Sequence, residues 1–87
     1  MLDWPILSEV ARSDVLQAAH ALMIENGAWG PIRWLHEEKG EWTFIVDTHG
    51  AANMNEEGAT RALTKLLGGK VWIATDGLSW VGRGTPL

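Results

Sequence analysis

The residues of this sequence best equipped for chemistry are three histidines, set among eleven acidic side chains. Asp47-Thr48-His49 places a carboxylate and an imidazole two residues apart at the end of an expected strand, a spacing at which both could face one cation. His36 is followed directly by Glu37 and Glu38. A metal centre needs three or four converging ligands and an outer layer that orients them, and spacing alone gives two. The expectation is therefore a turn in which Asp47 bonds nearby backbone amides while His49 faces water, with no metal. Glu37, Glu38 and Glu41 surround a second turn. Paired carboxylates do acid–base work only in a desolvated cleft, and a tight turn is wet. These three read as an acidic rim that also discourages strand-to-strand aggregation. Ser8, Ser13 and Ser79 lack a neighbouring base or a nucleophile elbow, and His20 reads as a solvated helix residue. Gly68-Gly69 and Gly82-Arg83-Gly84 lack the long loop and lysine of a phosphate cradle. No catalytic residue and no cofactor is expected.

Arg33, Lys70 and Arg83 are interleaved with tryptophans, a combination that can stack on single-stranded nucleic acid. Against it stands a formal charge of −4 from eleven acids and seven bases. Nucleic acid demands a basic face, so it is disfavoured as a partner, whereas a basic protein surface suits this balance. No cysteine is present, which removes disulfides and thiol chemistry and fits a reducing compartment. The opening MLDWPILSEV has no basic stretch leading into an apolar core, and no apolar run is long enough to span a bilayer. A cytoplasmic protein with no membrane partner is the expectation.

The elements that must position these side chains follow from periodicity. Residues 5–26 read as a helix, with Leu7, Ala11, Val15, Ala18 and Leu22 on one stripe and Asn26-Gly27 as its stop. Off that stripe, Leu16 and Met23 fall among the polar residues of the helix and need other cover. IRWLHEEKGEWTFIVD (32–47) reads as a hairpin turning at Lys39-Gly40. A second helix spans 55–67, capped by Asn55, ended by Gly68-Gly69 and buried through Ala59, Ala62, Leu63 and Leu66. KVWIATDGLSWV (70–81) carries the strongest hairpin signal, Asp76-Gly77. Residues 82–87 read as a tail. The 87 residues thus form one α+β domain of order α-β-β-α-β-β, with a mainly antiparallel four-stranded sheet and two helices on one face. Its halves, 6–47 and 55–82, look alike: each is a helix plus a hairpin with two tryptophans eight residues apart.

Six tryptophans in so short a chain make a surface problem. Two-residue turns put Leu35, Trp42, Phe44 and Val46 on one face of the first hairpin, and Ile32, Trp34, His36, Thr43 and Ile45 on the other. The second hairpin sets Val71, Ile73, Leu78 and Trp80 against Trp72, Ala74, Ser79 and Val81. Helices on one face leave the other with a tryptophan per hairpin and no second layer. Either the segments with Trp4 and Trp29 cover that face, or part of it is an interface. The reading adopted is a non-enzymatic protein-binding module that docks Trp34, Trp72, His36 and Val81, with Glu37, Glu38 and Glu41 steering a basic partner. The partner is another protein, or a second copy in a homodimer. In size, single-domain build, acidic balance and absence of a catalytic signature, the chain resembles the small inhibitors that phages and mobile elements deploy against bacterial defence complexes, the anti-CRISPR proteins among them. The resemblance is one of general character and transfers no site residue. It implies steric blocking of a target surface.

Overall fold

The computed structural model describes residues 2–37 and 39–87. Two helices, α1 (Glu9–Glu25) and α2 (Glu56–Leu67), pack on one face of a four-stranded sheet of order β3-β2-β1-β4. The strands are β1 (Ile32–His36), β2 (Trp42–Val46), β3 (Val71–Ala74) and β4 (Thr85–Pro86), with 3-10 turns at Trp4–Ile6 and Gly77–Trp80. The chain is α+β, as the periodicity indicates.

Helix boundaries follow local chemistry. Pro5 lies in the first 3-10 turn, and α1 begins after Ser8, whose hydroxyl accepts the Ala11 N–H at 3.1 Å. The buried side of α1 is rotated from the expected stripe: Ala19 and Met23 are fully buried, flanked by Val15, Leu16 and Leu22. Leu16 and Met23 carry more apolar area than Ala11 and Ala18, so facing them inward removes more apolar surface from water. In α2 the Asn55 cap, the acidic first turn and the left-handed Gly68 (φ 71°) stand where the sequence puts them. Its buried residues are Ala59, Leu63 and Leu67.

The first hairpin forms, one residue out of the expected register. Glu37 N–H donates to Glu41 C=O at 2.9 Å, so the ladder closes at His36 opposite Trp42 rather than opposite Thr43. The connection is one residue longer than a two-residue turn, with Gly40 at φ 83°. Side chains alternate along a strand, so this slip moves every β1 side chain to the other face relative to β2. Ile32, Trp34 and His36 therefore share the helix-covered face with Trp42, Phe44 and Val46.

The second hairpin does not form, and the sheet is mixed rather than mainly antiparallel. β3 leaves α2 and runs parallel to β2, Val71 opposite Trp42 and Ala74 opposite Ile45. A helix between two strands carries the chain back to the starting end of the sheet, which makes a parallel neighbour the natural outcome. After Asp76 the chain turns into 3-10 geometry, because the Ser79 hydroxyl donates to the Asp76 carboxylate at 2.6 Å and Ser79 N–H to Asp76 C=O at 3.2 Å. The expected tail instead supplies β4, which pairs antiparallel with β1, Arg33 opposite Pro86 and Trp34 opposite Thr85.

The far face of the sheet thus has a cover. Arg33 points to that side and donates to the carbonyls of Trp80 (2.6 Å), Arg83 (2.7 Å) and Gly77 (3.2 Å), clasping the 77–84 segment over the strands. Beneath it Ile45 is 1% exposed and Thr43 7%. Gly84 lies so close that a Cβ there would stand 3.2 Å from Ile45 Cδ1. Every residue of β2 is buried.

Candidate functional site

The structure separates the residues singled out from the sequence. Trp34 and His36, expected on the uncovered face, lie under the helices in an aromatic cluster. The Trp4 ring meets Trp42 edge-on at 5.0 Å and Trp34 at 5.6 Å, and His36 lies 4.2 Å from Trp42. Trp4, a candidate cover for the far face, therefore wedges into the helix side instead. Arg12 holds that wedge by donating to Trp4 C=O (3.2 Å) and Pro5 C=O (3.0 Å), with its guanidinium 5.1 Å above the Trp4 ring. Burial pushes the His36 imidazole below its usual value of 6.5, because the packed site withholds water that would hydrate the charged form.

Glu37 is exposed at the hairpin end and Glu41 half-buried, while Glu38 lies outside the described residues. Asp47 and His49 are exposed, and Asp47 C=O accepts the Ala51 N–H at 3.0 Å in a turn. Among the described residues no group of three or more His, Cys, Asp or Glu is placed to hold a metal ion. The cations whose type suits stacking on nucleic acid have intramolecular partners. Arg33 is the clasp, Lys70 Nζ lies 4.5 Å over the Trp72 ring, and Arg83 stacks 4.9 Å from Trp80.

A groove of about 600 Å³ runs between α1 and β1, bordered by Trp4, Arg12, Leu16, His20, Trp34 and Leu87. Next to it, Trp34 Nε1 is buried without a hydrogen-bond acceptor. Its surroundings are aromatic, with Trp4 and Trp42 centroids 5.6 and 5.8 Å from its own, and an indole N–H tolerates an aromatic face in place of oxygen. Arg12 is engaged by Trp4 and Pro5, and Glu9, Ser13 and His20 also line the groove.

The edge of β3 is different. Trp42 N–H donates to Lys70 C=O at 2.9 Å. In a parallel ladder that phase turns the backbone of Lys70, Trp72 and Ala74 toward β2 and the backbone of Val71 and Ile73 outward. β3 is the end strand, and among the described residues no backbone partner meets the outward groups of Val71 and Ile73. Trp72 stands on this strand 51% exposed, on the far face opposite Thr43. Val81, 74% exposed, follows the clasped 3-10 turn. Trp29 is also exposed, but its backbone is pinned in a loop by a 3.1 Å bond from its N–H to Gly50 C=O. Sequence periodicity misses the open edge because it depends on β3 pairing with β2 rather than with residues 78–81. The one available signal was the strand–helix–strand order from 42 to 74.

Comparison with protein-family models, curated proteins and solved structures finds no match to the chain. Among the described residues no helix is long and apolar enough to cross a membrane.

Proposed function

We propose that this protein is a non-enzymatic binding module that takes a protein partner along the open edge of β3, with Trp72 as the apolar anchor. The observation that carries this reading is the coincidence of a half-exposed tryptophan with unpaired outward backbone groups on one end strand. An extended segment laid beside such an edge gains main-chain hydrogen bonds and a side chain to pack against. Tryptophan is the residue type most enriched among those that dominate binding energy. Val81 adds apolar surface, and Glu37, Glu38 and Glu41 favour the approach of a basic partner, consistent with the net charge of −4. Trp34 and His36 leave the contact set and act within the fold. The mode of action is occupancy of a surface on the target, the steric blocking used by small inhibitors of bacterial defence complexes, which the chain resembles in size and charge.

The test is retention of bacterial proteins on immobilised protein, comparing wild type with Trp72→Ala after circular dichroism shows both folded. The reading expects proteins that wild type retains and the variant loses. Identical retention by both overturns it, as does salt-sensitive binding of a labelled single strand by the wild type.

A further inference from the structure

We infer that Trp29 is a platform for an arginine side chain of another protein, held between the indole ring and the carboxylates where α1 meets α2. This surface is separate from the β3 edge and does not rest on it. Three observations lead to it.

The first is how the chain uses its tryptophans. Arg12 lies 5.1 Å over the Trp4 ring, Lys70 4.5 Å over Trp72 and Arg83 4.9 Å over Trp80. Trp34 and Trp42 pack within the aromatic cluster. Trp29 is the most exposed tryptophan, at 57%, and among the described residues no cation of the chain stands over it. An indole face attracts a cation through its quadrupole, and three rings of this molecule already show the pairing.

The second is order in advance of binding. Ala28 N–H donates to Met23 C=O at 3.0 Å and Trp29 N–H to Gly50 C=O at 3.1 Å, so the loop is folded back on α1 and tied to the 47–55 connection. Gly50 packs so closely that any side chain there would meet Trp29 C=O. A ring carried on bonded backbone loses less entropy when a partner docks. Ile24, exposed in the last turn of α1, adds apolar surface at the same end for a residue beside the arginine.

The third is charge. Asn55 N–H donates to Asn26 C=O at 2.7 Å, which brings the acidic first turn of α2, Glu56 and Glu57, to the C-terminal end of α1. The last turn of α1 carries Glu25 and no basic residue. The carbonyl pole of a helix is already negative, so a carboxylate there costs stability that an incoming cation restores. Among the described residues Glu57 alone of these three acids has an ion pair, with Arg61 at 3.7 Å. The chain has little to offer the others. Arg12, Arg33, Lys70 and Arg83 are held by carbonyls or rings. Lys39 and Lys65 stand at the opposite end, where the first hairpin turn meets the C-terminus of α2. The occupant is therefore a different, basic protein rather than a second copy. Arginine fits better than lysine, because a planar guanidinium stacks on an indole while its edge reaches a carboxylate.

The experiment follows the indole and backbone N–H signals of the full chain by NMR while a blocked peptide alternating arginine with leucine is added at about 0.15 M salt. The Trp29 indole and Ile24 amide signals are expected to shift and saturate with a Kd of about 0.1–1 mM. The same peptide with citrulline for arginine keeps the shape, loses the charge, and is expected to bind about tenfold more weakly. Trp29→Ala, followed at Ile24, is expected to weaken binding about tenfold. Glu25→Gln is expected to weaken it about threefold with a shallower salt dependence, and carries the test if Trp29→Ala does not fold. Trp72→Ala removes the β3 anchor and is expected to leave this Kd unchanged, so the two surfaces stand or fall separately. The platform is overturned by a Trp29 signal that does not saturate up to about 5 mM peptide, by a citrulline peptide that binds equally, or by binding indifferent to both Trp29→Ala and Glu25→Gln. Shifts confined to Glu37 and Glu41 at the hairpin turn overturn it as well. Trp29 shifts that grow with protein concentration in the absence of peptide would make the occupant a second copy and overturn the external one.

Discussion

Removing the Arg33 guanidinium while keeping its stem, in Arg33→Met, tests whether the far face of the sheet is closed by a clasp. The guanidinium makes two part-buried contacts, to Trp80 C=O at 2.6 Å and Gly77 C=O at 3.2 Å, and one exposed contact to Arg83 C=O at 2.7 Å. A hydrogen bond to a charged group contributes about 1.5–3 kcal/mol when shielded. The exposed bond is screened and its acceptor returns to water, so it adds little. Discounting the other two for partial exposure leaves roughly 2–3 kcal/mol for the clasp. A domain of this length has a total stability of about 4–13 kcal/mol, so the variant loses a large part of it. At about 4–8 °C per kcal/mol for a chain this small, Tm falls by about 8–24 °C. Methionine still covers Ile45 and lies against Gly84, which isolates the hydrogen bonds from packing. Arg33→Lys recovers less than half, because one ammonium cannot fork across carbonyls met by two different guanidinium nitrogens. Urea denaturation measures the loss, and hydrogen exchange locates it: amides of 77–87 should open before those of β2. A loss under about 0.5 kcal/mol, or exchange that rises uniformly across the chain, would show that the segment covers the face without the clasp.

Two further outcomes follow from single groups. Burial holds the His36 imidazole below 6.5 in the folded chain, so the unfolded chain takes up the proton first as pH falls. The His36 contribution is therefore complete above 6.5 and is lost as pH drops through the folded-state value. Urea midpoints from about pH 8 to about pH 5 should fall more steeply for wild type than for His36→Gln, and parallel curves would refute this; Asp3, Lys39, Glu41 and Lys70, which border the same recess, are present in both proteins and drop out of the comparison. Asn55→Ala removes the side chain that accepts Gly58 N–H at 3.0 Å and should cost about 1 kcal/mol in thermal denaturation, with Asn55→Asp close to wild type; an unchanged Tm for the alanine variant would show that the cap is idle.

Local signals fixed by one or two side chains were legible in the sequence, and those set by distant partners were not. Asn55 and Gly68 bound α2 where the sequence places them, because capping and a left-handed φ are decided within a turn. Both strands of the first hairpin were legible too, but their register depended on one residue of loop length, and that residue decided which face Trp34 and His36 occupy. Asp76-Gly77 carries the same letters for a hairpin as for a 3-10 turn. The outcome is set by Ser79 bonding back to Asp76, by the Asp47 side chain packed against Gly77, and by β2 being available as a parallel neighbour for β3. The rotated face of α1 has a related cause. Alanines and larger apolar residues are scattered around that helix, so its docking is chosen by the sheet and α2 rather than by its own periodicity.

The exposure of Trp72 is where fold and function meet in one side chain. A buried tryptophan removes about 150–250 Å² from water, so leaving half of it out forgoes roughly 100 Å², or about 2.5 kcal/mol at about 25 cal/mol per Å². The Lys70 ammonium over its ring returns about 0.5–1 kcal/mol at an exposed site. The balance, roughly 1.5–2 kcal/mol, is unrealised in the single chain. Trp4, Trp34 and Trp42 show what the same residue does when spent on the core: they pack on one another beneath α1 and α2. Trp80 is stacked on Arg83 within the clasped segment. Trp29 is exposed in a loop whose neighbouring backbone is already bonded, whereas Trp72 stands beside outward backbone groups that are free to pair. Pairing that edge adds main-chain hydrogen bonds and recovers the forgone apolar area in a single event. Among the tryptophans, Trp72 is therefore the one whose removal should separate edge pairing from folding.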